Sequence, residues 1–121
     1  MIIVLDTNFV FIPFTHKVDV IEELSKIIAT KFIVMQKTLD ELEKLIEQNE
    51  KHAKLAKQFA LEHCEIVAHS SADTADDAIV SYCLEHTHAI VATQDKLLKK
   101  RLQEIGTTVA ILRQKNHIEL V

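Results

Sequence analysis

Short aliphatic runs recur down this chain, and between them apolar residues repeat at helical spacing. Ile2-Ile3-Val4-Leu5, Phe32-Ile33-Val34-Met35, Glu65-Ile66-Val67-Ala68, Ala89-Ile90-Val91-Ala92 and Val109-Ala110-Ile111-Leu112 each have the length of one strand. Nearly unbroken apolar character marks strands covered on both faces, as in a parallel sheet. The intervening stretches read as amphipathic helices: 18–30 (Val18, Val20, Ile21, Leu24, Ile27, Ile28), Thr38 to Gln48, 51–63, Asp73 or Thr74 to about Glu85, and Asp95 to Gly106. Regular alternation of this kind predicts an α/β fold, a three-layer α/β/α sandwich around a mainly parallel central sheet. Ile118 to Val121 reads as a short edge strand or a tail.

A chain of 121 residues is expected to form one domain spanning 1–121. It has a single glycine, Gly106, and a single proline, Pro13. That scarcity excludes a glycine-rich phosphate loop, a dinucleotide fingerprint and a nucleophile elbow, all of which need glycines at fixed places. Cys64 and Cys83 form no C-x-x-C pair, and with no leader or targeting tail a reduced cytoplasmic setting is expected. A zinc site could be drawn from His63, Cys64, Cys83 and His86, but two buried thiols beside helix-end histidines is the simpler reading. No apolar run is long enough for a membrane span, so no membrane partner is expected.

The net charge of −4 conceals an uneven distribution. Residues 1–95 carry 8 Lys+Arg against 16 Asp+Glu, whereas residues 96–121 carry 6 against 2, a balance of +4. The cations there are Lys96, Lys99, Lys100, Arg101, Arg113 and Lys115. Such asymmetry suits an anionic partner, although an exposed basic helix face is also common.

Open α/β sheets bind ligands beyond the carboxyl ends of their strands. Asp6 is flush with the end of the first strand, Asp95 follows the fourth, Asp76 and Asp77 open the helix after the third, and Glu41 lies early in the helix after the second. Acids favour first helical turns for capping and dipole reasons, which accounts for some of these. It accounts poorly for Asp6, because ionising a carboxylate at the end of a buried strand costs desolvation. Gathered acids would repel one another by several kcal/mol per pair, about 4 kcal/mol at 4 Å and an effective dielectric of 20, so something must offset them. In sequence only Lys96 adjoins them. An all-oxygen donor set suits Mg²⁺ or Mn²⁺, the cations of phosphodiester hydrolysis.

Four blocks, Asp6-Thr7-Asn8-Phe9, Leu39-Asp40-Glu41-Leu42-Glu43-Lys44-Leu45, Ala75-Asp76-Asp77-Ala78-Ile79-Val80 and Val91-Ala92-Thr93-Gln94-Asp95, together resemble the PIN-domain nucleases in order and spacing. The likeness is greatest to small archaeal members akin to the small-subunit processome endonuclease. It implies a metal-dependent endoribonuclease, with rRNA processing as the expected role, and a homodimer, since PIN domains commonly pair. It also implies Asp6, Glu41 and Asp95 as metal-binding catalytic acids, with one of Asp76 and Asp77. The family interval favours Asp77, eighteen positions before Asp95, whereas helix geometry leans to Asp76, nearer the stripe of Ala75, Ile79 and Cys83. Asp77 is the expected third acid, with Asp76 as the alternate. Asn8 and Thr93 match supporting positions. The segment before the Glu41 helix lacks the proline common in the family.

RNA approaching such a centre needs cations, expected at Lys96, Lys100 and Arg101 on the helix after Asp95 and at Arg113 and Lys115 beyond the next strand. Alternatives are a non-catalytic PIN-like module binding RNA or an assembling ribosome, and a VapC-type toxin ribonuclease. A haloacid-dehalogenase-type phosphatase requires a second Asp where Asn8 stands, and a receiver domain needs an acidic pair where Asp6 is alone.

Overall fold

The computed structural model describes residues 1–27, 31–69, 72–114 and 116–121. Ile28, Ser70, Ser71 and the expected RNA contact Lys115 therefore lie outside the described residues. Among the described residues the elements run β1 (Ile2–Leu5), α1 (Thr7–Thr15), α2 (Val20–Ile27), β2 (Lys31–Met35), α3 (Gln36–Glu47), α4 (Ala53–His63), β3 (Glu65–Val67), α5 (Ala75–Glu85), β4 (Ile90–Ala92), α6 (Lys96–Glu104), β5 (Thr108–Arg113) and β6 (His117–Leu120). All six strands join one sheet in the order β3-β2-β1-β4-β5-β6. Pairing is parallel throughout except for β5 with β6, whose register sets Arg113 opposite His117.

Alternation along each strand sorts the core into two halves. Ile3 and Leu5 of β1 face the layer of α1 to α4, where Phe9, Leu24, Leu42 and Ala60 are buried. Val4, between them, faces the layer of α5 and α6 with Ile79, Tyr82, Leu98 and Leu102. The result is the three-layer sandwich that the alternating sequence predicts. The C-terminal residues form the antiparallel edge strand rather than a tail.

The chain winds outward from β1 to β2 and β3, then returns to place β4 on the other side of β1. Neighbouring connections leave in opposite directions at β1 and β4, so a crevice opens at their carboxyl ends. Asp6 and Asp95 follow these two strands.

Helix α1 is the element that periodicity does not reveal. Phe9 to Phe14 is apolar at every position and includes Pro13, so no polar face marks a helical repeat. Phe9, Val10 and Ile12 are buried against the sheet. The apolar stripe expected for α6 also shortens, because the helix ends at Glu104 and Ile105 is exposed.

Gly106 follows α6 with φ +82°, a left-handed conformation, and a β-carbon there would meet nothing within 4 Å. Backbone strain is thus the whole penalty for a side chain, and Gly106→Ala is expected to lower unfolding free energy by about 1 kcal/mol in urea titration. A neutral result would show that the turn relaxes out of the left-handed region.

Candidate active site

Asp6, Glu41, Asp76, Asp77 and Asp95 line one cleft of about 790 Å³ at the switch point, together with Thr7, Asn8 and Arg101. Phe11, Thr15 and Leu45 complete its other wall. All five sequence-nominated acids are therefore brought to one place from four strand exits.

Asp6 is the most enclosed of them, 4% exposed. Its backbone N–H continues the ladder by donating to Ala92 O at 3.0 Å, which fixes where the side chain begins. Oδ1 accepts from the Thr7 N–H at 2.8 Å and Oδ2 from the Thr93 hydroxyl at 2.6 Å. Burial pushes the carboxyl up to about 6 against these two hydrogen bonds, and the Asp76 and Glu41 charges add to the rise.

Thr93 serves twice, because its Oγ1 also accepts from the Asp95 N–H at 3.0 Å. Asp95 then caps α6, with Oδ1 accepting from the N–H groups of Leu97 and Leu98. Asn8, the other expected supporting residue, accepts from the Gln94 N–H at 3.1 Å. The Gln94 side chain pairs with both backbone groups of Leu112, tying this turn to β5.

Glu41 accepts a short hydrogen bond from the Thr7 hydroxyl, which joins the α3 acid to the start of α1. Thr7 and Gln94 are contributors that sequence reasoning missed. Only their places beside Asp6 and Asp95 could have pointed to them.

The adjacent acids of α5 have different surroundings. Thr74 caps the helix by accepting from the Asp77 N–H at 3.1 Å. Asp76 is half-buried, and its carboxyl is raised first by burial and then by Asp95 and Glu41, with Arg101 opposing. Asp77 accepts from the Arg101 guanidinium at 3.0 Å. Arg101, an expected cation of this centre, is thus paired with an acid twenty-four positions away, a contact that the sequence conceals. Of the expected RNA contacts among the described residues, it alone lines the cleft. Lys96 and Lys100 are exposed elsewhere on α6, and Arg113 is paired with Glu119 at 2.9 Å.

The donor set suits a hard divalent cation, since it is made of carboxylate oxygens, and Asp6 and Asp76 are raised mainly by burial with neighbouring acids adding to the rise. Among the described residues no three acid, histidine or cysteine side chains already meet as a metal-binding group. Glu41, Asp77 and Asp95 instead have partners within the protein. Elsewhere, Cys64 and Cys83 are free thiols that burial pushes up to about 12 and about 11.

The fold favours protonated Asp6, a preference fully present below the ordinary carboxyl value of 3.8 and lost as pH rises through about 6. The difference is worth about 3 kcal/mol. In chelator, the wild-type protein is expected to lose stability relative to Asp6→Asn between about pH 4 and 7, leaving the variant at least as stable at neutral pH. Parallel pH profiles for the two proteins would contradict the buried-carboxyl account.

The PIN-like domain family matches residues 3–115. The chain is 36% identical to "Ribonuclease VapC4" of Methanocaldococcus jannaschii, over 98% of this chain and 95% of that protein. It is 32% identical to "rRNA-processing protein fcf1" of Schizosaccharomyces pombe, over 95% of this chain and 59% of that protein. The solved PIN domain endonuclease Utp24 superposes with a TM-score of 0.85 at 29% identity, covering 98% of this chain and 90% of that one. With these matches and its acid-lined switch-point cleft, the chain belongs to the PIN-like domain family.

Proposed function

We propose that the protein is an endoribonuclease dependent on Mg²⁺ or Mn²⁺, acting in rRNA processing. The observation that carries this reading is the convergence of five carboxylates on one cleft at the sheet's switch point. Relatives named as ribonucleases support RNA as the substrate.

Divalent ions held by such acids supply activation of water and stabilisation of the departing oxygen. Asp6, Glu41 and Asp95 would hold them, with the third carboxylate from the Asp76-Asp77 pair. Asp76 is favoured for that place, because it feels Asp95 and Glu41 while Asp77 engages Arg101. Thr93 and Thr7 fix the Asp6 oxygens, and Thr7 orients Glu41. Arg101 offers a guanidinium at the cleft wall to a phosphate. Lys96 and Lys100 extend positive charge along α6, while Arg113, paired with Glu119 as Arg101 is with Asp77, lies outside the cleft lining.

The rRNA-processing role is supported by the likeness to fcf1. A VapC-type ribonuclease is the second reading, supported by the VapC4 and VapC9 relatives. Mapping cleavage sites on total RNA separates the two: cuts confined to precursor rRNA support the first, and cuts in mature RNAs the second.

Incubation with structured and single-stranded RNAs is expected to give internal cuts with Mn²⁺ and none with chelator. Asp6→Asn should abolish cleavage, and full activity in that variant would place the centre elsewhere. Asp76→Asn is expected to cost far more activity than Asp77→Asn, and the opposite ranking would make Asp77 the third acid. Arg101→Ala should weaken RNA binding and reduce the salt slope by about 1, while Arg113→Ala should change both little. Equal effects would mean that the RNA also reaches β5.

A further inference from the structure

The cleft's non-acidic wall continues into a second feature that the hydrolytic chemistry does not use. Helix α1 presents Thr7, Phe11 and Thr15 to the cleft, at four-residue intervals along one face. Phe14 lies three positions from Phe11 on the adjoining strip, outside both apolar clusters of the core. With Leu55, Gln58, Phe59 and Glu62 it lines a separate groove of about 310 Å³.

Aromatic rings gather at this groove. His52 stacks on Phe14 with centroids 6.4 Å apart and planes 25° from parallel, and Phe59 meets Phe14 edge-on at 6.1 Å. His52 has φ +69°, a left-handed conformation uncommon for a residue with a bulky side chain. That strained residue places its ring against Phe14 immediately before α4. Exposed Lys51 and Lys54 bracket it in sequence.

We propose that Phe14, flanked by His52 and Phe59, is a stacking platform for an unpaired base of single-stranded RNA running through the acidic cleft. This rests on the ribonuclease reading above. Proteins that hold single strands combine a positively charged path for the backbone with aromatic faces for successive bases. Here the positive charge for the backbone would come from Arg101 at the cleft and from Lys51 and Lys54 beside the stacked base, with Phe11 on the way between them.

The test uses single-stranded RNA oligonucleotides carrying 2-aminopurine at successive positions, bound to Asp6→Asn protein in Mg²⁺. One position is expected to be quenched on binding. Adding Phe14→Leu, which keeps an apolar side chain but removes the ring, should abolish that quenching and weaken binding roughly tenfold. Phe14→Trp should restore both, which separates loss of the ring from damage to the fold. Unchanged affinity and quenching in Phe14→Leu would overturn the platform. So would a change only in sedimentation behaviour, which would assign the groove to contact with a second copy of the chain. Cleavage by the protein with native Asp6 reads the nuclease activity separately, so intact cleavage with an indifferent Phe14 sinks this proposal alone.

Discussion

A single carboxylate beyond the end of β1 organises the site. Asp6 is fixed by the backbone ladder to β4 and by two donors, Thr7 N–H and the Thr93 hydroxyl. Those two donors lead outward in turn, Thr7 to Glu41 and Thr93 to Asp95. Glu41 of α3 and Asp95 after β4 are thus tied to Asp6 by a few hydrogen bonds, and α5 brings Asp76 and Asp77 to the same cleft. Such an arrangement opposes ionisation of Asp6 and Asp76 in the folded state, first through burial and then through the neighbouring acids. Natural sites often carry local destabilisation that the surrounding fold outweighs. Here the outweighing structure is the two-sided core around β1, whose Ile3, Val4 and Leu5 are wholly buried.

Much of this was legible before any coordinates. Short apolar runs marked five strands, and the helices with clear polar faces could be read directly, but β3 is an edge strand with Glu65 and Ile66 exposed rather than covered on both faces. Asp6 was legible because capping alone does not explain an acid flush with a buried strand. Helix α1 was not, since uniform apolarity from Phe9 to Phe14 has no period to detect. The Arg101–Asp77 pair was not legible either, because two neighbouring helices bring together residues far apart in the chain. Choosing between Asp76 and Asp77 exceeds what one-dimensional spacing can decide. Consecutive helical positions point about 100° apart, and only the packing of α5 against the sheet says which faces the other acids.

Placement at the β1/β4 switch point also explains why such different local sequences contribute to one cleft. The acids come from the segments after four different strands, so they are held by elements already committed to the core. A cleft built in this way keeps its floor rigid while its rim can vary. The cleft lining here carries a guanidinium and the Phe11 ring, and further rings line the separate groove of Phe14 and Phe59. Those two chemistries match the two parts of a nucleotide, the phosphate and the base.

The Gln94 side chain has a further consequence. By donating to Leu112 O and accepting from Leu112 N–H, it imitates one rung of a strand beyond the last residue of β4. The Leu112 amide hydrogen is thereby shielded by a side chain belonging to the turn that carries Asp95. Its exchange with solvent deuterium reports the opening of that turn rather than the fraying of β5. A single backbone amide, remote in sequence from every acid, thus becomes a local clock for the integrity of the carboxylate cleft.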